Sequence, residues 1–565
     1  MLRALAVVVL GLASGLLAAL IAVGFVAAMG WLNDVLLVSP RSRMMFEHRG
    51  WLMGATVLVP AGGGLVVGLL LRHLAEGRAH GPAEAIAAVQ TGRGGLSPRA
   101  GTVSALSSLV SLGSGASVGQ YGPLVHIGAS LGSALARLSR AARSDDNIAI
   151  ASGVAAAIST AFNAPLAGIL FAHEVVLRHY ALRAFAPVAA ASSVGYIVAA
   201  VVFERRPLFH VEAAAVNHAW EYVAFMAIGV GGALVAVAYM HAILGATRLA
   251  PRVPLPVPLR PALAGAAVGV AALWVPDILG IGKETLRFAI IEGAYSGGEL
   301  GLILVVKLLA TALCLGLGFA GGVFSPALVI GTLFGALCGT GLEWVAGAER
   351  GPLAMYGVAG MVAVTAPVIG APLTTVVIVF ELTHNYTLTT AALASVVLAN
   401  LVASRLFGRS LFDVQLRARG MDLSSGRGKL VLELRKVGEL VTRDCVTVEP
   451  AMTVREVMAS LAESDRGEAY VVDAQGRYRG TLTLARLQAH ADPGAGVGEL
   501  ARDDRPLLSS DTGVWDAMEH MQDFVGEAVP VVEPGGAGFV GVVHETALMK
   551  VYLGTLDALR REEHG

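Results

Sequence analysis

Residues 119–132 read GQYGPLVHIGASLG, and residues 322–335 read GVFSPALVIGTLFG. At a separation of 203 residues, Gly119 meets Gly322, Pro123 meets Pro326, Gly128 meets Gly331 and Gly132 meets Gly335. A second match follows in the same order: APLAGILFAHE at 164–174 and APLTTVVIVFE at 371–381, 207 residues apart. The ordered pair of matches indicates an internal duplication. In each Gly-x-x-x-Pro the glycine lets another backbone approach closely, and the proline suits the first turn of a helix. Such a helix start presents N–H groups without intrahelical partners and about half a positive charge. It can cradle an anion without a lysine or arginine. Broken segments at corresponding places in two halves point to a transporter-type site.

The surrounding composition calls for lipid. Of 565 residues, 55% are hydrophobic and only 15% are charged, with a mean hydropathy of +0.67; soluble domains carry about 25% charged residues. The opening run MLRALAVVVLGLASGLLAALIAVGFVAAMGW exceeds the roughly 7–15 apolar residues of a signal peptide and reads as a spanning helix. Gly/Pro-rich interruptions such as VPAGGGLVVG (59–68) and LGFAGGVFSP (317–326) are tolerated at membrane depth only where buried in protein or lining a polar path. A net charge of −1 gives no footprint for nucleic acid. The cysteines, Cys314, Cys338 and Cys445, are odd in number and scattered, against a disulfide framework or metal cluster. No nucleophile–base pair, metal-ligand cluster or phosphate loop stands out, so no enzyme activity and no cofactor is expected.

Near residue 420 the character changes. Short β-rich runs (EAYVVD at 468–473, AVPVVE at 528–533, GFVGVV at 538–543) alternate with amphipathic segments (TVREVMASLAE at 453–463, GVWDAMEHM at 513–521), the pattern of a soluble α/β region. The expected organisation is a membrane domain over 1–418, a linker over 419–434, one tail repeat over 435–490, and a second over 491–565 ending in a C-terminal helix.

These motifs resemble a known family. GQYGP at 119–123 is similar to the Gly-[Lys/Arg]-Glu-Gly-Pro of the CLC chloride channels and proton/chloride antiporters, and GVFSP at 322–326 to their Gly-x-Phe-x-Pro. FNAPLAGILFAHE at 162–174, APLTTVVIVFELTHNY at 371–386 and GRSLFDVQL at 408–416 extend the likeness over roughly residues 5–418. The tail resembles a pair of CBS domains. The resemblance implies an all-α polytopic membrane domain of two inverted-topology repeats with broken helices, plus a cytoplasmic α/β CBS pair. It also implies a homodimer in the lipid bilayer with one chloride-type pathway per subunit; compact loops point to a prokaryotic plasma (inner) membrane.

Carried over residue by residue, the resemblance places His80, Gly81, Gly119, Gln120, Tyr121, Gly122, Pro123, Gly322, Val323, Phe324 and Phe412 on the pathway. Several departures matter. Tyr121 stands at the gating glutamate, and a phenol near pKa 10 does not shuttle protons at neutral pH. Val175 stands at the inner proton-transfer glutamate. Glu174 beside it, and its repeat mate Glu381, are expected to cap or brace helices. AHGPAE at 79–84 puts His80 at the family's anion-binding serine; the GSG at 113–115 lies too near GQYGP to be that motif. Phe412 keeps the ring of the family's central tyrosine without its hydroxyl. Lys307 is expected to snorkel or pair. In the tail, GTLTLAR (480–486) and GVVHETA (541–547) carry Thr483 and His544 but place Arg486 and Ala547 where nucleotide-binding CBS repeats use an aspartate, so adenine-nucleotide binding gives way to a structural or dimerising role.

The expected function is passive, proton-uncoupled anion permeation, chloride by default. The alternatives are a proton-coupled antiporter using His80, His126 or His173, a pathway for fluoride, nitrate or bicarbonate, or a signalling protein with a vestigial site.

Overall fold

The computed structural model describes the chain except residues 1, 47, 93–95, 140–142, 205–215, 217, 347–350, 465, 503–505, 525, 527, 537 and 565. It divides into two compact units, Met1–Met421 and Asp422–Gly565.

The first unit is helical. Seven of its helical stretches among the described residues are long and apolar enough to cross a membrane, from Leu5–Met44 to Tyr386–Arg417, with shorter apolar helices between them. The duplication read from the sequence is present in element order. Helices at Leu2–Val35, Arg49–Leu71, Pro98–Gly113, Tyr121–Leu138, Arg143–Phe162, Pro165–Phe171 and Leu182–Tyr196 are followed by Trp220–Leu249, Arg260–Ala271, Gly297–Gly316, Phe324–Ala346, Leu353–Ile369, Pro372–Thr383 and Tyr386–Leu406. The repeated glycines serve as contact points between helices. A Cβ on Gly128 would strike the Gly153 carbonyl, and one on Gly331 the Gly360 carbonyl; Gly132 and Gly335 are likewise pressed against the backbone of Ala149 and Tyr356. Small residues let helices approach closely where lipid removes the hydrophobic drive to associate.

The two halves meet at their broken segments. Gly119 N–H donates to the Gly322 carbonyl at 2.7 Å, and Gly322 N–H donates back to Gly119 at 2.7 Å, an antiparallel two-residue bridge. No side chain fits there: a Cβ on Gly119 would lie 2.7 Å from Gly322 O, and one on Gly322 2.7 Å from Gly122 N. The bridge is braced from behind. Gln120 N–H donates to Ser325 Oγ at 3.2 Å, Ala320 N–H to Ser111 Oγ at 3.1 Å, and Ser117 Oγ meets Thr311 Oγ1 at 3.1 Å.

Lys307 does not snorkel. It is fully buried, and its Nζ donates to the carbonyls of Ile278 (2.8 Å) and Gly280 (2.7 Å). Gly280 N–H in turn donates to Gly115 O at 2.9 Å, so the lysine holds the loop that backs the first broken segment.

The second unit contains two similar three-stranded sheets. β1 (Val446–Val448) pairs parallel with β2 (Glu468–Val472), which pairs antiparallel with β3 (Tyr478–Thr483); β4 (Leu508–Ser509), β5 (Ala528–Val532) and β6 (Phe539–His544) repeat the order. Both antiparallel pairs shift register at the same place, after Val471 and after Val531. The stretch 419–434, expected as linker, contains a helix at Arg427–Leu434. Its Leu432, with Val437, is buried in the core of the second sheet, and Val497 is buried in the core of the first. The repeats therefore exchange flanking segments.

Replacing Gly322 by alanine is expected to cost about 1–3 kcal/mol through overpacking at the bridge. Thermal denaturation of the purified protein in detergent should show a lower midpoint, and an unchanged midpoint would refute the close approach.

Candidate functional site

A small cavity of about 20 Å³ lies at the meeting of the halves, lined by Pro82, Tyr121, Gly122, Val125, Ile158, Phe171, Val323, Phe324, Ile369 and Phe412. One water needs roughly 10–15 Å³ by this kind of measure, so the cavity has room for one small solute. Its lining has no Asp, Glu, Lys, Arg or His.

Four helices begin at this cavity: Pro82–Thr91, Tyr121–Leu138, Phe324–Ala346 and Leu411–Arg417. They are not electrostatically equivalent. The 82–91 helix carries Glu84 in its first turn, and the 411–417 helix carries Asp413, which closes a capping box with Ser410. Gly81 N–H donates to Glu84 Oε2 at 2.5 Å, and His80 N–H donates to Ser104 Oγ at 2.9 Å. The 121–138 and 324–346 helices have no acidic residue in their first turns. Their positive ends remain without a carboxylate, and these are the two ends related by the duplication.

Aromatic rings close the space between them. Tyr121 is 2% exposed and stacks on Phe162 (centroids 3.9 Å, planes 15° apart). Phe324 stands edge-on to both rings, at 5.2 Å from Tyr121 and 5.3 Å from Phe162. Beyond Ile369, which lines both spaces, opens a vestibule of about 710 Å³ whose wall includes His173, Glu174, Val175, Arg178, Tyr180 and Asp413.

The residues named from sequence thus separate by role. Tyr121, Gly122, Val323, Phe324 and Phe412 line the cavity. Gly119, Gln120 and Gly322 spend their N–H groups across the seam, and Pro123 has none to give. They are framework. His80 and Gly81 are not in the cavity lining; the His80 ring instead meets His126 edge-on at 5.5 Å. Val175 is in the vestibule wall.

Glu174 and Glu381 form a reciprocal pair of caps. Glu381 accepts from Leu166 N–H and Ala167 N–H, both at 2.8 Å, at the start of the 165–171 helix. Glu174 accepts from Leu373 N–H (3.0 Å) and Thr374 N–H (2.9 Å) at the start of the 372–383 helix. Each repeat caps the other.

Sequence reading missed Phe162, Ile369 and the surroundings of Glu84. Phe162 and Ile369 each immediately precede a Gly/Asn-Ala-Pro helix start and occupy matched positions at the 207-residue separation, which was the available signal. Glu84 accepts from Arg78 Nη1 at 2.6 Å and from Arg419 Nη1 at 2.5 Å, the second partner too distant in the chain to infer.

In the tail, Thr483 and His544 end β3 and β6 at paired positions, opposite Glu468 and Ala528. Arg486 lies in the short helix Leu484–Gln488. Neither Arg486 nor Ala547 offers the side-chain acceptor oxygens that an aspartate would present to a ribose. The seam between the repeats is filled by Tyr470, Phe539 and Tyr478, stacked at 5.9 and 6.1 Å, with Tyr470 Oη donating to Ala528 O at 3.3 Å.

A duplicated membrane domain whose two uncapped helix N-termini face an enclosed cavity defines an anion-transport protein. The chain belongs to the voltage-gated chloride channel family: the family model matches residues 63–404, and CBS-domain models match 437–490 and 497–554. A ClcB-like protein of Ralstonia nicotianae is 33% identical over 338 residues, 59% of this chain and 78% of that relative. The fold is shared with the solved structure of a slow cyanobacterial Cl−/H+ antiporter (TM-score 0.66, 22% identity, 73% of this chain and 97% of that one). It is also shared with a eukaryotic CLC transporter over 97% of this chain and 99% of that one (TM-score 0.64, 21% identity). The protein is an integral membrane protein with a CBS pair.

Two outcomes are expected. Glu381→Ala removes the acceptor for two helix-starting N–H groups, a loss of about 1.5–3 kcal/mol per charged hydrogen bond; Glu174→Ala should lower the detergent melting midpoint by a similar amount, and a wild-type midpoint in either would refute the paired caps. Calorimetry of the full-length protein with ATP, ADP and AMP should show no saturable heat up to about 1 mM, whereas micromolar binding would overturn the reading of the tail.

Proposed function

We propose that this protein conducts a small inorganic anion, chloride by default, down its gradient without moving protons in fixed ratio. The observation that carries this reading is the lining of the cavity: its one titratable side chain is Tyr121. A proton carrier near neutrality needs a group that titrates there, and a phenol does not. On the vestibule side Val175 offers no proton at all.

In this reading the anion rests against the N-termini of the 121–138 and 324–346 helices, and the Tyr121 ring is the obstruction between cavity and exterior. Aromatic pairs of this kind contribute about 0.5–1.5 kcal/mol each. Swinging Tyr121 away from Phe162 and Phe324 therefore costs roughly 1–3 kcal/mol, a gap that leaves an open conformer thermally populated. The ClcB-like relative and the solved CLC transporters support the substrate class. The antiporter named among the fold relatives motivates the rival, proton-coupled exchange, which would have to use histidines such as the buried His126. The proposal includes a homodimer in a prokaryotic plasma membrane with the CBS pair cytoplasmic.

The deciding measurement is chloride efflux from vesicles under clamped voltage with external pH recorded. Efflux without stoichiometric proton uptake is expected; uptake locked to efflux, or chloride driven uphill by a pH gradient, would establish the antiporter. Tyr121→Ala should raise efflux by about 5- to 150-fold, the full range of the closing energy, and unchanged efflux would remove Tyr121 as the obstruction.

A further inference from the structure

The permeation reading leaves one buried titratable group of the vestibule wall unused. His173 is 1% exposed and belongs to a π-helical turn, Ala172–Leu177, that prolongs the 165–171 helix. The wide turn is stabilised from outside: Gln90 Nε2 donates to Val176 O at 2.8 Å and to Leu177 O at 2.9 Å. It ends at Arg178 in the left-handed region, φ 60°. The duplicated segment has no such turn. Pro372–Thr383 is α-helical throughout, and the position matching His173 is Phe380. A π-turn costs helical regularity and is frequent at functional sites; here it breaks the symmetry of the duplication at the histidine.

The ring is held in one orientation. Nδ1 lies 2.9 Å from the His179 carbonyl, which can only accept, so Nδ1 carries the proton and Nε2 presents a bare lone pair. Nε2 is buried and has no hydrogen-bond partner. Tyr180 stacks on the imidazole (5.6 Å, 14°), and Phe185 lies nearly parallel to it at 6.2 Å. Tyr180 is itself 59% exposed. The Tyr180 face lies within the distance at which an aromatic ring attracts a cation.

The charged groups around it are engaged. Both Glu174 oxygens accept from the 372–383 helix, and Arg178 pairs with Asp413 at 2.6 Å. Arg409 also lines the vestibule, and His179 Nδ1 accepts from Ala181 N–H at 3.3 Å. None of these removes the vacancy at Nε2.

We propose that His173 Nε2 is a proton-binding site of the vestibule wall, and that its protonation raises anion permeation. The proton comes from vestibule water and returns to it, because the titratable group of the cavity beyond, Tyr121, is a phenol that does not exchange protons near neutrality. Once protonated, the ring places one positive charge and an N–H donor on the wall that an anion must pass. The effect on flux rests on the permeation reading; the protonation itself does not.

The test uses the full-length protein in lipid vesicles, with pH equal on both sides. Nitrogen NMR of histidine-labelled protein should contain a ring signal absent from His173→Gln, changing from bare acceptor to N–H as the pH is lowered towards about 5. Chloride efflux should rise on the order of two- to tenfold over the same range, the effect of one unit charge roughly 10 Å from an anion at an effective dielectric between that of protein and water. His173→Gln should flatten that rise. A signal that stays neutral down to pH 5, or a pH dependence of efflux unchanged in His173→Gln, would overturn the proposal. Titration of His173 in a protein with no measurable efflux would support the site and refute the permeation reading instead.

Discussion

The membrane domain depends on one contact: the two mutual backbone hydrogen bonds between Gly119 and Gly322. It joins the duplicated halves at the point where each chain turns from an extended segment into a helix. Because the partners are backbones within 2.7 Å, the residues must be glycines, and the segments cannot slide without losing both bonds. The bridge consumes the N–H groups just before the helices and leaves those of the first turns facing the cavity. Fixing the seam therefore also aims the two helix dipoles.

Acidic residues decide which helix ends stay positive. Glu84, Glu174, Glu381 and Asp413 each cap a helix start, accepting from backbone N–H groups. Burying a carboxylate is expensive unless it is hydrogen-bonded or paired; Glu84 and Asp413 also pair with arginines, Glu174 and Glu381 rest on helix-start amides, and the four neutralise the 82–91, 411–417, 372–383 and 165–171 helices. The cavity is left with two unneutralised ends and an otherwise apolar lining. That combination attracts an anion without binding it through a fixed countercharge, which suits passage better than retention.

The duplication is nearly faithful where structure is at stake and departs from symmetry where chemistry is. Gly128 and Gly331 make equivalent contacts, as do the Glu174 and Glu381 caps. In contrast, Tyr121 faces Phe324 across the seam, Phe162 matches Ile369, and the π-turn at His173 matches a plain α-helix. A pathway has two different ends, so a twofold scaffold must break its symmetry at the lining.

Lipid as solvent, the duplication, the helix starts and the α/β tail were all legible in residues 1–565, because each rests on local composition or on glycine and proline at a fixed spacing. Tyr121 and Phe324 adjoin those starts, whereas Phe412 was found through the family resemblance of SLFDV. Lys307 was not: nothing near it in the chain reveals that its ammonium ends on the carbonyls of Ile278 and Gly280. Nor could the chain order show that Glu84 claims the Gly81 amide together with Arg419, 335 positions away, or that Phe162 closes over Tyr121. A side chain's partners across such separations are chosen by packing, whose geometry no local pattern encodes. The sequence by itself determined that two helix N-termini would be free to meet an anion; the tertiary structure alone decided which amides were already taken and which rings stood in the way.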